Sequence, residues 1–339
     1  MSARIDCSAL AEAAEAEIRA GLTACQLAVG YRGEVVWRRA FGSADDDTRF
    51  WVASATKPIV SAAVWLLIGD GKLDVSCRVA DILPGFGANG KQDVTVEQVM
   101  LMTAGFPDAP MTPEDGADPT RRIAQMAEWT LETEPGSAYA YHPMSAHWVL
   151  AALIERIAGQ DHCDFVEQRL TGPIGLPRVL GIPREAQGVV AQLSPAADEA
   201  TRSAYDYAAK IAAGEPGGGG LMRAADLALF YQTLLHDPAG LFDPAVLADG
   251  TGHVRCTLPD PQMGLPANRT LGVVVGPGFG ATWGESPTAF GWPGAGGQIA
   301  FAEPATGISV AFLQMGDTDP VRPFVRGRRI SQLALQLGA

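Results

Sequence analysis

The feature that most constrains this chain is the segment Ser54-Ala55-Thr56-Lys57, which leads into an apolar stretch that predicts a helix over residues 59–69. Serine is favoured at a helix N-terminus, and Pro58 is tolerated there while the helix is still in its first turn. Because residues three apart share a helix face, we expect the Ser54 hydroxyl and the Lys57 amine to meet. A nearby base activates a serine hydroxyl, and burial lowers the pKa of a lysine towards that role. The segment predicts a nucleophile and its base, although a capping serine followed by a solvated lysine has the same spacing.

Lysine is rare in this chain, which makes its presence at position 57 informative. There are 25 lysines and arginines together, and only Lys57, Lys72, Lys91 and Lys210 are lysines. Arginine is not deprotonated in proteins, whereas a buried lysine can be neutral. No other serine in the sequence stands three residues before a lysine. This usage favours the catalytic interpretation of the Ser54/Lys57 pair.

Composition excludes several classes of function. The chain has 339 residues, 47% of them hydrophobic, which is enough for a large core. A net charge of −13 argues against nucleic-acid binding, and no run of eighteen apolar residues predicts a membrane span. Five cysteines without a Cys-x-x-Cys pair and a start without an apolar leader lead us to expect a reduced, cytoplasmic protein. The five histidines lack a His-Glu-x-x-His motif and no phosphate-binding loop occurs, so we expect no metal and no cofactor.

Hydrophobic periodicity gives the order of the elements. A helix over residues 8–20 and a hairpin over 25–41 precede the Ser54 helix, and helices separated by Pro/Gly loops follow as far as about residue 247. Strand patterns return over residues 270–275, 298–302 and 308–313, before a closing helix over 320–337. We therefore predict an α/β lobe built from residues 1–78 and 258–339, a helical lobe over 79–257, and a site between them. The run from Gly217 to Gly220 predicts a mobile connector.

Three further segments share a pattern with one known family. Residues 94–106 carry the sequence VTVEQVMLMTAGF, residues 135–141 carry PGSAYAY, and residues 290–297 carry FGWPGAGG. In this order, and together with Ser54 and Lys57, they resemble the serine β-lactamase-like and penicillin-binding-protein-like hydrolases over residues 20–335. That family implies an α/β (α+β) fold, in which an antiparallel sheet is flanked by helices and carries a mostly helical insertion lobe.

The resemblance also implies roles for individual residues. Ser54 would attack an acyl group, Lys57 and Tyr141 would move its proton, and the Ser54 and Ala295 backbone N–H groups would hold the oxyanion. Trp292 and Gly294, beside Ala295, would complete the substrate-binding strand. The spacing also leaves Tyr139 open as the catalytic tyrosine, and His142 and His147 receive no role.

Two departures from the family pattern suggest the substrate class. The usual Tyr-x-Asn is here Tyr141-His142-Pro143, which lacks the asparagine amide. Trp292 stands where β-lactamases and carboxypeptidases carry lysine or histidine. A tryptophan at this position resembles the family VIII carboxylesterases. The resemblance therefore implies an esterase that acts on small-molecule esters. An amidase or D-amino-acid peptidase, an acyltransferase, and a non-catalytic ligand-binding member of the family are the alternatives.

Overall fold

The computed structural model describes residues 5–192, 199, 207–278, 281–316, 319 and 321–337. Its largest sheet has six strands in the order β2-β1-β8-β7-β6-β5, and every neighbouring pair is antiparallel. A second, two-stranded sheet pairs β3 with β4. The strands are β1 Ala24–Tyr31, β2 Glu34–Gly42, β3 Phe50–Trp51, β4 Leu221–Met222, β5 Val274–Val275, β6 Phe290–Gly291, β7 Ile299–Glu303 and β8 Ile308–Met315.

Helices precede the sheet, interrupt it and follow it. In the described residues the α-helices are α1 Ser8–Arg19, α2 Lys57–Gly69, α3 Val79–Ile82, α4 Val96–Met100, α5 Pro113–Ala117, α6 Pro119–Glu128, α7 Ser145–Ala158, α8 His162–Val166, α9 Ala208–Ala212, α10 Ala224–His236, α11 Pro244–Gly252 and α12 Arg322–Leu335. The predicted antiparallel sheet with flanking helices is therefore confirmed. The bounds of the two predicted lobes stay a prediction.

Both faces of the large sheet are covered. Every residue of β8 is buried, which indicates packing on its two sides. Ser309 donates a hydrogen bond to the carbonyl of Ala228 in α10, whereas Gln314 accepts one from Arg326 in α12. Positions 309 and 314 point to opposite faces, since side chains alternate along a strand. Helices α10 and α12 thus cover opposite faces of the sheet.

Helix α2 is buried on all sides. Residues 57–67 are buried without exception, and the helix contacts α7 and α11. A helix that is apolar all round belongs in the centre of a large domain. The Ser54 segment is therefore attached to a helix whose first three turns are completely buried.

Local sequence rules explain several element ends. Arg32 and Gly33 both have positive φ, at 54° and 85°, which matches the predicted tight hairpin turn. Thr95 caps α4 in a capping box with Gln98, as the threonine predicted. The strand predicted over residues 270–275 is shorter than expected, since only Val274–Val275 pair. Gly272, at φ 145°, sits in a turn closed by the Thr270–Val273 hydrogen bond and delays the strand.

Gly291 offers a test of how closely β6 and β7 pack. A Cβ at Gly291 would lie 2.3 Å from the carbonyl oxygen of Ala300 and 2.8 Å from Phe301 Cα, which are backbone atoms of the paired strand. We expect Gly291→Ala to lower the free energy of unfolding by about 1–3 kcal/mol, as overpacking does. Urea unfolding followed by circular dichroism measures the change. Gly252→Ala is the control, because a Cβ there meets nothing within 4 Å; equal stability of the two variants would contradict the packing argument.

Candidate active site

A short turn presents Ser54 between strand β3 and helix α2. Residues Ala53–Thr56 form a 3-10 helix, in which residues three apart eclipse each other. Ala53 has φ 49°, a left-handed conformation that is uncommon for a residue with a side chain and marks local strain. Thr56 Oγ1 donates to the Ala53 carbonyl at 2.6 Å and accepts from the Gly220 amide at 2.9 Å. These bonds hold the strained turn in place.

The structure brings Ser54, Lys57 and Tyr141 together. Ser54 Oγ lies 3.1 Å from Lys57 Nζ and 2.8 Å from the Tyr141 hydroxyl. The alternative tyrosine, Tyr139, is buried, and its hydroxyl interacts with Arg269 rather than with Ser54. Burial also raises the pKa of Tyr139 to about 12. The geometry therefore favours Tyr141 over Tyr139 as the partner of Ser54.

Lys57 is fully buried, and its amine is held by backbone carbonyls. Besides Ser54, Nζ contacts the carbonyl oxygens of Pro143 at 2.7 Å and Gly217 at 2.6 Å. Burial lowers the pKa of Lys57, although the negative form of Tyr141 and the charge of Glu215 act in the opposite direction. A neutral amine has two N–H donors and one lone pair. Two carbonyls can therefore take both donors and leave the lone pair for the Ser54 hydroxyl proton.

Tyr141 lies beside the same amine. Lys57 Nζ is 5.2 Å from the centroid of the Tyr141 ring. Burial alone would raise the pKa of Tyr141, but the charge of Lys57 and the hydrogen bond with Ser54 outweigh burial and lower it. Since the two groups interact, their protonation states are coupled. The site can thus take a proton from Ser54 and return one to a leaving group.

The third motif packs behind Tyr141 and beside the Ser54 turn. Trp292 is fully buried and stacks on Tyr141, with ring centroids 5.9 Å apart and planes at 26°. A Cβ at Gly294 would lie 2.3 Å from the Val52 carbonyl, so glycine permits this strand to approach the turn. Ala295 is exposed and lines a small cavity with Trp51 and Tyr207. Contact of Trp292, Gly294 and Ala295 with a substrate stays a prediction.

The two histidines left without a role differ in their bonding. His142 is buried, with Nδ1 2.6 Å from the Ala140 carbonyl and Nε2 accepting from the Phe106 amide at 3.2 Å. Burial lowers the pKa of His142 to about 4, so it is a neutral link between two motif segments. His147 is buried in α7, where burial and the charge of Lys57 hold its pKa well below the usual value.

The glycine run is part of the site, so its predicted role as a mobile connector is wrong. Residues 216–222 are all buried, and Gly217 supplies a carbonyl to Lys57. A Cβ at Gly219 would lie 2.8 Å from the Lys210 carbonyl, and one at Gly220 would lie 2.6 Å from Thr56 Oγ1. Glycine is present here because the backbone packs closely. Composition alone does not distinguish a packed glycine run from a loose one.

Two charged residues near the site gave no sequence signal. Glu215 has 4% of its side chain exposed, and its carboxylate lies 3.7 Å from Lys210 Nζ. Burial raises the pKa of Glu215, and the charges of Lys210 and Lys57 oppose this. Arg269 is fully buried close to Trp292. Both belong to segments without a motif, and only the folded chain brings them to the site.

One group in the described part of the chain has residue types suited to a metal ion. It consists of Asp161, His162 and Cys163. His162 Nδ1 already lies 2.7 Å from a Glu155 oxygen, and Nε2 lies 2.9 Å from the Gly214 carbonyl. Both ring nitrogens are therefore engaged as donors, which suits a charged imidazole better than a metal ligand. None of the three residues belongs to the Ser54 cluster.

Among the described residues, no helix has the length and apolar character needed to cross a membrane.

Comparison with known proteins identifies a family, two relatives and a similar fold. The family described as Beta-lactamase matches residues 11–335. The chain is 28% identical over 306 residues to the Esterase/beta-lactamase LipL of Mycobacterium tuberculosis, covering 79% of this chain and 69% of that protein. It is 28% identical over 339 residues to Esterase EstB of Burkholderia gladioli, covering 84% of each. A solved structure described as a family VIII carboxylesterase has the same fold, with a TM-score of 0.83, 24% identity, and coverage of 97% of this chain and 96% of that one.

Substitution of Lys57 tests whether its amine accepts a proton from Ser54. We expect Lys57→Arg to lose on the order of a hundredfold or more in kcat, because arginine keeps the charge but accepts no proton. Ester hydrolysis by purified protein measures the loss. Lys91→Arg is the matched control: Lys91 is also fully buried and also donates to backbone carbonyls, those of Ala88 and Trp129. Retention of most activity by Lys57→Arg would mean that Lys57 acts only through its charge.

Proposed function

Because the chain belongs to the Beta-lactamase family, we propose that it is a serine hydrolase that cleaves small, uncharged carboxylic esters through an acyl-enzyme on Ser54. The observation that carries this proposal is the position of Ser54 Oγ within hydrogen-bond distance of both Lys57 Nζ and the Tyr141 hydroxyl. Activation of a serine needs a base of this kind at this distance. Two relatives whose names include esterase support the substrate class.

In the first half of the reaction, Ser54 Oγ forms a bond to the ester carbonyl carbon. Its proton passes to the neutral amine of Lys57, directly or through Tyr141, and the carbonyl oxygen becomes an oxyanion. We assign the backbone N–H groups of Ser54 and Ala295 to this oxyanion, since fixed donors stabilise charge that develops in the transition state. The intermediate then breaks its bond to the alcohol oxygen, which takes a proton from Tyr141.

The second half repeats these steps with water. Water attacks the acyl carbon while Tyr141 and Lys57 take up its proton. The bond to Ser54 Oγ breaks, the acid is released, and the proton returns to Ser54. Lys57 and Tyr141 begin and end the cycle in the same protonation states, so no other reactant is needed.

Two features favour esters over charged amides. Trp292 has an uncharged indole where the family's amide-cleaving enzymes carry a cation, so a substrate carboxylate gains no partner there. Pro143 has no side-chain amide, and its carbonyl is already bound to Lys57. An alkoxide or phenoxide also leaves more easily than an amine. These features disfavour the amidase and peptidase alternatives, and the Ser54/Lys57 contact disfavours a non-catalytic role.

We also propose a cytoplasmic location. All five cysteines are free thiols, namely Cys7, Cys25, Cys77, Cys163 and Cys256. Unpaired cysteines are typical of reducing compartments.

Covalent labelling tests the nucleophile. We expect a fluorophosphonate to add to Ser54, and tandem mass spectrometry of the digest to place the label on the peptide that contains it. Ser54→Ala should lose both label and activity. Ser61→Ala is the matched control, because Ser61 is a buried serine of the adjoining helix α2 that stands outside the Ser54 cluster. A label on another residue, or full activity of Ser54→Ala, would reject the mechanism.

A substrate panel tests the class of ester. We expect clear hydrolysis of p-nitrophenyl acetate and butyrate, with little turnover of p-nitroanilides or nitrocefin, because the indole of Trp292 offers no charge to a substrate carboxylate. Initial rates with each substrate give kcat/KM directly. Adding an alcohol to the butyrate assay shows whether the acyl group passes to an acceptor other than water. A kcat/KM for nitrocefin comparable to that for the esters would favour a β-lactamase or peptidase instead.

A further inference from the structure

Arg269 is a fully buried cation without a carboxylate partner among the described residues. Its side chain is 0% exposed, and its Nη2 donates to the Met100 carbonyl at 3.2 Å. Its Nε and Nη1 atoms meet no acceptor in good hydrogen-bond geometry among the described residues, and the neutral Tyr139 hydroxyl is the side-chain group that interacts with the guanidinium. Burying an unpaired charge is unfavourable, and one carbonyl compensates only part of that cost. A position of this kind calls for an explanation beyond packing.

The guanidinium is stacked against the catalytic cluster. Arg269 Cζ lies 4.1 Å from the centroid of the Trp292 ring, a distance typical of a cation–π contact. Trp292 in turn stacks on Tyr141, and the Tyr141 hydroxyl contacts Ser54. A continuous series of contacts therefore runs from Arg269 through two aromatic rings to the nucleophile.

We propose that Arg269 is a positioning residue whose fixed positive charge, held against Trp292, favours the neutral amine of Lys57 and the negative form of Tyr141. Trp292 carries no charge of its own, so the positive charge on this side of the cluster is that of Arg269, which stacks on the indole. The guanidinium stays protonated throughout the cycle. It therefore biases both groups of the cluster without exchanging a proton.

The electrostatics of the site agree in sign. Burial is the main cause of the lowered pKa of Lys57, and the charge of Arg269 lowers that pKa further. Burial opposes ionisation of Tyr141, whereas the charges of Lys57 and Arg269 lower its pKa. Removing the charge of Arg269 should therefore raise both pKa values. The pH profile of ester hydrolysis should therefore move to higher pH.

The other titratable groups near the cluster act differently. Burial holds His142 and His147 in their neutral forms, and it raises the pKa of Tyr139 and of the Cys256 thiol. These groups carry no charge near neutral pH. The carboxylate of Glu215 raises the pKa of Lys57 and so opposes Arg269. The charge of Asp260 raises the pKa of Tyr139.

The pH profile of kcat/KM for p-nitrophenyl butyrate tests the proposal on the full chain. We expect Arg269→Gln to move the acidic limb of the profile up by about one pH unit, the size expected from a unit charge across a protein interior. Arg269→Lys keeps a positive charge and should leave the limb within a few tenths of a unit. A structural role would lower kcat or the melting temperature and leave the limb in place.

Arg122→Gln is the matched control. Arg122 is a buried arginine over the ring of another tryptophan, Trp148, at 5.1 Å, but it pairs with Glu155 and lies outside the cluster. We expect this variant to be less stable and to keep the wild-type limb. Circular dichroism establishes which variants fold. An unmoved limb in folded Arg269→Gln, or an equal displacement in folded Arg269→Lys, would overturn the proposal. If Arg269→Gln does not fold, Arg269→Met, which also removes the charge, takes its place.

This inference rests on the proposed function, and one further measurement separates the two. The rate of fluorophosphonate labelling of Ser54 against pH needs a reactive serine but no turnover of an ester. A wild-type protein that is labelled but does not hydrolyse esters contradicts the proposed substrate class, and its labelling profile still tests Arg269. A labelled wild type whose profile is unchanged in Arg269→Gln contradicts the role of Arg269 alone.

Discussion

The burial of the Lys57 amine is the interaction on which the rest of the site depends. An amine removed from water needs acceptors, and here the Pro143 and Gly217 carbonyls supply them. These carbonyls belong to segments 86 and 160 residues further along the chain. One side chain therefore joins helix α2 to the segment of Tyr141 and to the glycine run. The same contacts that satisfy the amine place Tyr141 beside Ser54.

Holding the amine with backbone carbonyls explains two unusual stretches of sequence. A carbonyl belongs to every residue, so Pro143 can bind Lys57 without the side-chain amide of the family pattern. The glycines at 217–220 serve the same end, because the chain must come close enough for Gly217 to reach Nζ. Side-chain identity matters less at these positions than the path of the backbone.

The sequence was sufficient to predict which residues with local patterns would come together at the candidate site. Ser54, Lys57 and Tyr141 lie in recognisable motifs, and Thr95 shows a helix cap by its chemistry alone. Prediction failed where the same composition serves two structures, as in the glycine run. It also failed for Arg269, one of 21 arginines among the 25 basic residues, because its burial depends on contacts with Met100 and Trp292 that form only in the fold.

The distance in sequence between Lys57 and its two carbonyls also bears on the protein's synthesis. Before residue 217 has been added and folded, the amine has no carbonyl cage and remains in water as an ordinary ammonium ion. Ser54 then has no base and is no more reactive than any other serine. The setting that makes Ser54 a nucleophile is thus absent from the nascent polypeptide and arises only once the segments of Lys57, Pro143 and Gly217 have folded together.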